Sequence, residues 1–190
     1  MEEDIKLINA TLKGDQFAFQ HLVEKYQHYV FTITYRVLKR REEAEETAQD
    51  VFIKVYKTLG SFEQRSKFTT WLYAVTYRTA LDKARKKNYP IDSIDDDDNY
   101  LQLENTFGES PSDAIQQEDL QSQLERAISR LKPVDASLIT LFYLHEKSIK
   151  EIAAITGLTI SNIKTKLHRL REQLKVLLEE QLQQEIHDLL

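Results

Sequence analysis

The chain contains no cysteine, so it can form neither a disulfide framework nor a thiolate metal site, and a reducing compartment is its simplest setting. Five histidines are too few and too scattered to assemble ligands instead. Glycine and proline are scarce as well, at four and three residues, and β-branched clusters with strict alternation are rare. Few breakers and little period-two patterning leave long helices as the natural reading. No apolar run approaches the ~18 residues that a membrane span requires, and the segment MEEDIKLINA is acidic where a signal peptide would be basic. A cytoplasmic protein with no direct membrane insertion is expected. A Ser/His/Asp array, a phosphate-cradling glycine loop and a metal-ligand cluster are all missing from the sequence. The expectation is therefore no enzyme, no catalytic residue, no metal and no cofactor.

What is present suffices for a packed core. The 190 residues are 41% hydrophobic and 30% charged, too apolar for wholesale disorder and long enough for one domain or two small ones. The net charge of −5 is unevenly spread. Residues 1–87 hold 16 Lys/Arg against 12 Asp/Glu, residues 88–125 hold none against 11, and residues 126–190 hold 10 against 8. Two mildly basic ends thus flank an acidic middle, which points to two modules and a connector.

Periodicity fills in the modules. Asp4 can cap a short helix carrying Ile5, Ile8 and Leu12, Gly14 supplies a left-handed terminus, and Asp15 restarts the chain. Apolar residues from Phe17 to Leu38 predict one long amphipathic helix, broken by Lys39-Arg40-Arg41. A third helix runs from Ala44 to Gly60, residues 61–67 read as a loop, and a fourth helix runs from Phe68 into Lys83–Lys87. Pro90, the aspartates at 95–98, Gly108 and Pro111 make 88–111 a linker. Beyond it, Ser112 can cap a helix bearing Ile115 to Leu131, and Pro133 fits the first turn of the next, spanning roughly 134–145. The predicted fold is all-α: two small helical domains, 1–87 and 112–190, joined by an acidic linker.

Three constellations carry function. SIKEIAAITGLTISNIKTKLHRLREQL reads as a helix-turn-helix, with Ile149, Ile152 and Ala153 on the core side of its first helix and Gly157 in the turn. Ile160, Ile163 and Leu167 then anchor the second helix, leaving Ser161, Asn162, Lys164, Thr165, His168, Arg169 and Arg171 outward, where they can reach base edges and phosphates. A solvated basic helix would show the same charges. Between Ser61 and Lys87, Phe62, Phe68, Trp71, Tyr73 and Tyr77 are interleaved with Arg65, Lys67, Arg78, Lys83, Arg85, Lys86 and Lys87, a mixture suited to stacking and holding melted DNA. Packing in the core explains Phe68, Trp71 and Leu72 equally, so loop residue Phe62 is the expected exposed ring. In AEETAQDVFIKVY, Glu45, Glu46, Gln49 and Asp50 share one side and Ala48, Val51, Phe52 and Val55 the other, an acidic face that could dock a basic helix or simply meet solvent.

In this order the segments resemble the extracytoplasmic-function group of bacterial sigma factors. The resemblance covers nearly the whole chain apart from the linker and the last dozen residues. It implies that Glu46, Gln49 and Asp50 contact the clamp helices of core RNA polymerase, with the family's usual Asp-then-Glu order reversed. It implies capture of the −10 element by Phe62, Lys67, Phe68, Tyr73, Tyr77 and Arg78, although Arg78 stands where asparagine is common. It further implies approach to the −35 element by the outward residues of the last helix, with Thr159 and Ser161 replacing the small or proline residues that often open it. Core polymerase and promoter DNA are the implied partners, and an anti-sigma factor is a possible one. The acidic linker could imitate nucleic acid near the polymerase active centre or act as a spacer. The competing reading is a sigma-like decoy that binds an anti-sigma factor without directing transcription. Leu178, Leu182, Ile186 and Leu190 form a C-terminal apolar stripe that could pack at home or serve a partner.

Overall fold

The structure is a computed structural model that describes residues 2–89 and 117–188, with the side chains of 117–121 and 185–188 left out of account. Among the described residues every regular element is helical. The expectations from sequence hold where one residue dictates the local backbone. Gly14 takes φ 97° after α1 (Glu2–Leu12), and Asp15 caps α2 (Gln16–Leu38) by accepting from the amides of Phe17 at 2.9 Å and Ala18 at 3.2 Å. Asp4 is a correction. It lies inside α1, buried, and accepts from Tyr26 Oη at 2.9 Å and Lys25 Nζ at 2.8 Å, so it ties α1 to α2 instead of capping.

The basic break after α2 has a conformational role. Lys39 adopts φ 59° and donates its amide to Tyr35 O, which ends α2 and lets α3 (Arg41–Thr58) turn back beside it. A 3₁₀ turn at Leu59–Ser61 follows, then the loop, then α4 (Phe68–Lys86). Leu22, Tyr26, Val30, Val51, Val55 and Leu72 close the core between these helices. Thr34 Oγ1 donates across it to Ala44 O, which fixes the height of α3 on α2.

The second helical group comprises α5 (Gln117–Ser129), α6 (Pro133–Ile139), α7 (Ile149–Thr156) and α8 (Ile160–Asp188). Pro133 opens α6 as expected. The helix predicted to reach 145 instead loosens into a π turn at Thr140–Leu144. Ser148 caps α7 through a reciprocal box with Glu151, and Gly157 at φ 80° ends it, donating its amide to Ala153 O at 2.9 Å. Ile163 and Leu167 are buried as predicted, whereas Ile160, the first residue of α8, is 44% exposed. The predicted cap Ser112, with Ile115, and the linker aspartates lie outside the described residues.

The two groups do not sit apart. One continuous core joins Ile33, Val37, Tyr77 and Leu81 from α2 and α4 to Leu138 and Ile152 from α6 and α7. Helix α7 lies along α4, and α6 along α2. The far end of α8 packs on α5: Leu174 is buried, Leu178 is half-buried, and Arg130 reaches Glu180 at 3.1 Å. That supports a packing role for the start of the C-terminal stripe, while Leu182 is exposed.

Candidate functional site

The acidic face of α3 forms as periodicity requires. Val51 and Val55 are buried, Ala48 and Phe52 pack against the same core, and Glu46, Gln49 and Asp50 are exposed on the opposite side. Glu46 is held 3.1 Å from Lys83 of α4, and Glu43, one turn earlier, accepts from Lys87 at 2.8 Å and from Tyr89 at 2.6 Å. The hydrogen bonds from Lys87 and Tyr89 hold the Glu43 carboxyl below the usual carboxylate range. These contacts steady the face without covering it. Sequence reasoning missed Ile53, which is 53% exposed beside Gln49 and Asp50, and Tyr56, also exposed. An apolar residue out of phase with Val51 and Val55 was the available signal.

The aromatic and basic stretch divides differently from the expectation. Phe62 is not an exposed loop ring. The 3₁₀ turn brings its amide onto Leu59 O at 3.1 Å and swings the ring inward, 5.6 Å from both Phe68 and Trp71, leaving it 9% exposed. Phe68 is buried in that same core, and Trp71 is half-buried against it. Lys67 and Arg78 are exposed. Tyr73 and Tyr77 are buried on the other side of α4, under the second helical group. Tyr73 Oη lies 2.9 Å from His145 Nδ1, with Lys147 Nζ over its ring at 5.1 Å, and burial pushes both phenols up, that of Tyr77 to about 12.

Around that contact the electrostatics are one-sided. Burial lowers His145 to about 4, and the charges of Lys147, His28 and Arg36 push in the same direction. The ring is therefore neutral near pH 7, and Nδ1 shares a hydrogen bond with Tyr73 Oη. Burial alone would raise Glu151, but hydrogen bonds from Ser148 and Thr70 and the charge of Lys67 bring it down to about 2. Since the folded value of His145 lies below the ordinary one, its contribution is intact above pH ~6.5 and is lost as pH falls toward ~4. Between pH ~6.5 and ~5 the parent should lose about 1 kcal/mol of stability through this group, less than the limiting 1.4 kcal/mol per unit because the ring is partly exposed to screening solvent. Urea titrations of the parent and His145→Asn across that range check it, and equal slopes would remove the assignment.

On α8, Ser161, Lys164, Thr165, His168, Arg169 and Arg171 are exposed and Asn162 half-buried, facing away from the packed core. Lys166 and Arg169 lean toward buried Asp135 of α6, at 3.7 and 4.0 Å, an orienting contact that the sequence signalled only as a lone acid in an apolar stretch. Among the described residues no cluster of His, Asp and Glu could hold a metal.

Against known proteins, residues 22–89 match sigma-70 region 2 and residues 121–174 match sigma-70, region 4. The chain is 33% identical over 175 residues to the ECF RNA polymerase sigma factor SigW of Bacillus subtilis, covering 90% of this chain and 94% of that one. It is 31% identical over 178 residues to the ECF RNA polymerase sigma-E factor of Escherichia coli K12, covering 89% and 91%. Among solved structures, CnrH in complex with the cytosolic domain of CnrY gives a TM-score of 0.64 at 18% identity, covering 94% of this chain and 98% of that one. The sigma factor RpoE in complex with the anti-sigma factor NepR from Bartonella quintana gives 0.62 at 22%, covering 85% and 96%. At these identities the two structures speak for the fold alone.

Proposed function

The chain belongs to the extracytoplasmic-function group of bacterial RNA polymerase sigma factors, and from that membership we propose how its surfaces divide the work. As a sigma factor it binds core RNA polymerase, recognises the −35 and −10 promoter elements and promotes melting; it is an initiation factor and not an enzyme. In our reading residues 1–87 form the docking and −10 module, 88–111 the connector and 112–190 the −35 module. Glu46, Gln49 and Asp50, with Ile53 added, meet the polymerase. Lys67 and Arg78 hold the −10 strand, while Phe62 and Phe68 shape the loop from inside and Tyr73 and Tyr77, buried at 2% and 1% exposure, pack α4 against the second helical group instead of meeting DNA. Ser161, Asn162, Lys164, Thr165, His168, Arg169 and Arg171 read or hold the −35 duplex.

The observation that carries this reading is the outward basic face of α8 behind a capped α7 and a glycine turn, on the same chain as the exposed acidic face of α3. Cations there supply salt-dependent affinity for phosphates, and Asn162, Thr165 and Arg169 offer base-reading groups. An anti-sigma partner is proposed for this chain because CnrH and RpoE, which share its fold, are each bound to one other protein, in RpoE's case an anti-sigma factor. We assign the chain to the bacterial cytoplasm, on the nucleoid through its promoters; among the described residues no helix is long and apolar enough to cross a membrane.

The purified chain should direct core polymerase to discrete start sites on a genomic promoter library, and start sites no different from those of core polymerase alone would sink the reading. On a promoter recovered that way, Arg169→Ala should weaken upstream contact by ~1 to 3 kcal/mol if it makes a bidentate base contact. Lys164→Ala should instead weaken all sequences alike and flatten the salt dependence. Footprints of folded variants that match the parent would take both residues off the DNA surface.

A further inference from the structure

We propose that Asp135, on α6 and outside the helix that faces DNA, is a positioning residue for Arg169 and thereby sets a preference for guanine at one position of the upstream element. The inference rests on assigning the −35 duplex to α8.

Asp135 stands out chemically in its own helix. Val134, Ala136, Leu138 and Ile139 of α6 are buried apolar side chains, and a carboxylate among them is unfavourable unless charges and hydrogen bonds replace its lost hydration. Its place in the first turn of α6 offsets part of that penalty, because the amide end of a helix favours an acid. The rest comes from α8. Lys166 Nζ lies 3.7 Å from Oδ1 and Arg169 Nη2 lies 4.0 Å from Oδ2, so two cations one helical turn apart converge on one acid. Yet among the described residues Oδ1 meets no hydrogen-bond donor. An apolar side chain of similar size would pack α6 against α8 without that penalty, so the acid contributes something other than packing.

The two cations are not equivalent. The side chain of Lys166 is 12% exposed and that of Arg169 is 51% exposed. Lys166 therefore neutralises the buried carboxylate permanently, whereas Arg169 stays on the exposed side of α8 that also carries Thr165 and His168. A guanidinium holds its N–H donors in one rigid plane, and turning one terminal nitrogen inward leaves the remaining donors outward as a fork. That fork matches the N7 and O6 acceptors of guanine in the major groove, a pair that no other base presents there. Without the carboxylate the side chain would sample many rotamers and settle on phosphates, which carry no sequence information. Holding it in advance lowers the ordering cost of the base contact. At 4.0 Å and half-exposed, the ion pair is weak enough for the guanidinium to adjust when DNA arrives.

Asp135→Asn keeps the size of the side chain and removes its charge. Polymerase carrying the parent chain, tested on a promoter recovered from the library and on the same promoter with each upstream base pair replaced in turn, should prefer guanine about tenfold at the position that Arg169→Ala identifies. With Asp135→Asn that preference should shrink to about threefold or less, while binding to the replaced duplexes holds or tightens and the salt dependence steepens by about one phosphate contact. In the Arg169→Ala background the same change should do nothing further to the base preference, because the acid acts through the guanidinium. An unchanged preference in the folded Asp135→Asn chain would overturn the proposal. So would an equal loss on every duplex, or a further loss in the Arg169→Ala background, since either is what a purely structural acid would give. On the unsubstituted chain, nitrogen relaxation at Arg169 Nε, assigned with Arg169→Lys, should report greater order than at exposed Arg171. Equal disorder at the two would overturn the proposal even if Asp135→Asn did not fold. A parent chain with no upstream base preference at all would overturn the reading of α8, and the proposal with it.

Discussion

Phe62→Ala is expected to destabilise the protein by about 3 to 5 kcal/mol, the range for deleting a buried phenylalanine from a core. The ring sits edge-on to Phe68 at 5.6 Å and against Trp71 at the same distance, so its removal opens a cavity bounded by two rings that the 3₁₀ turn holds in place. The loop before α4 should loosen at the same time. Urea denaturation followed by Trp71 fluorescence reads both effects, since Trp71 is the only tryptophan and lines the cavity. Promoter opening should fall as folded protein is lost, and Phe62→Leu, which refills most of the space, should restore both together. A stable Phe62→Ala protein that binds polymerase normally and fails only in melting would show instead that the ring reaches the DNA.

That outcome bears on what the sequence could disclose. Features set by one residue's own backbone or by a single helical face were legible: Gly14 and Gly157 at positive φ, the Asp15 cap, Pro133 at a helix start, and the sidedness of α3 and α8. Misreadings arose where a distant partner outweighed the local rule. Asp4 looks like a cap because it is an acid near a helix start, but Tyr26 and Lys25, more than twenty residues away, claim its carboxylate. Phe62 looks exposed because loops commonly are, yet one turn of 3₁₀ helix is enough to reverse its direction. The contact between the two helical groups left no local signature, because Arg36 and Thr140 are 104 residues apart. Sequence periodicity could give two modules; only the structure shows them sharing a core.

The charge-reversed pair Glu46→Lys with Asp50→Lys should bind core polymerase on the order of a hundredfold more weakly, because like charges brought together at an interface cost several kcal/mol. The fold should tolerate the change. Both side chains are exposed, and the one ion pair described for them, Glu46 with Lys83 at 3.1 Å, is a surface contact worth less than about 1 kcal/mol. Since such a reversal also shifts the net charge of the chain, the comparison needs Glu24→Lys with Glu179→Lys, which alters charge equally at exposed positions on other helices. Fluorescence-detected competition for core polymerase should rank the control near the parent and the docking variant far below. Equal weakening in the two would mean that polymerase feels only the overall field, and equal binding would move the docking surface off α3. Ile53→Ser adds a further check: if this exposed aliphatic is part of the contact, its loss should raise the dissociation rate with little change in association, because apolar burial acts after encounter whereas charge steers it.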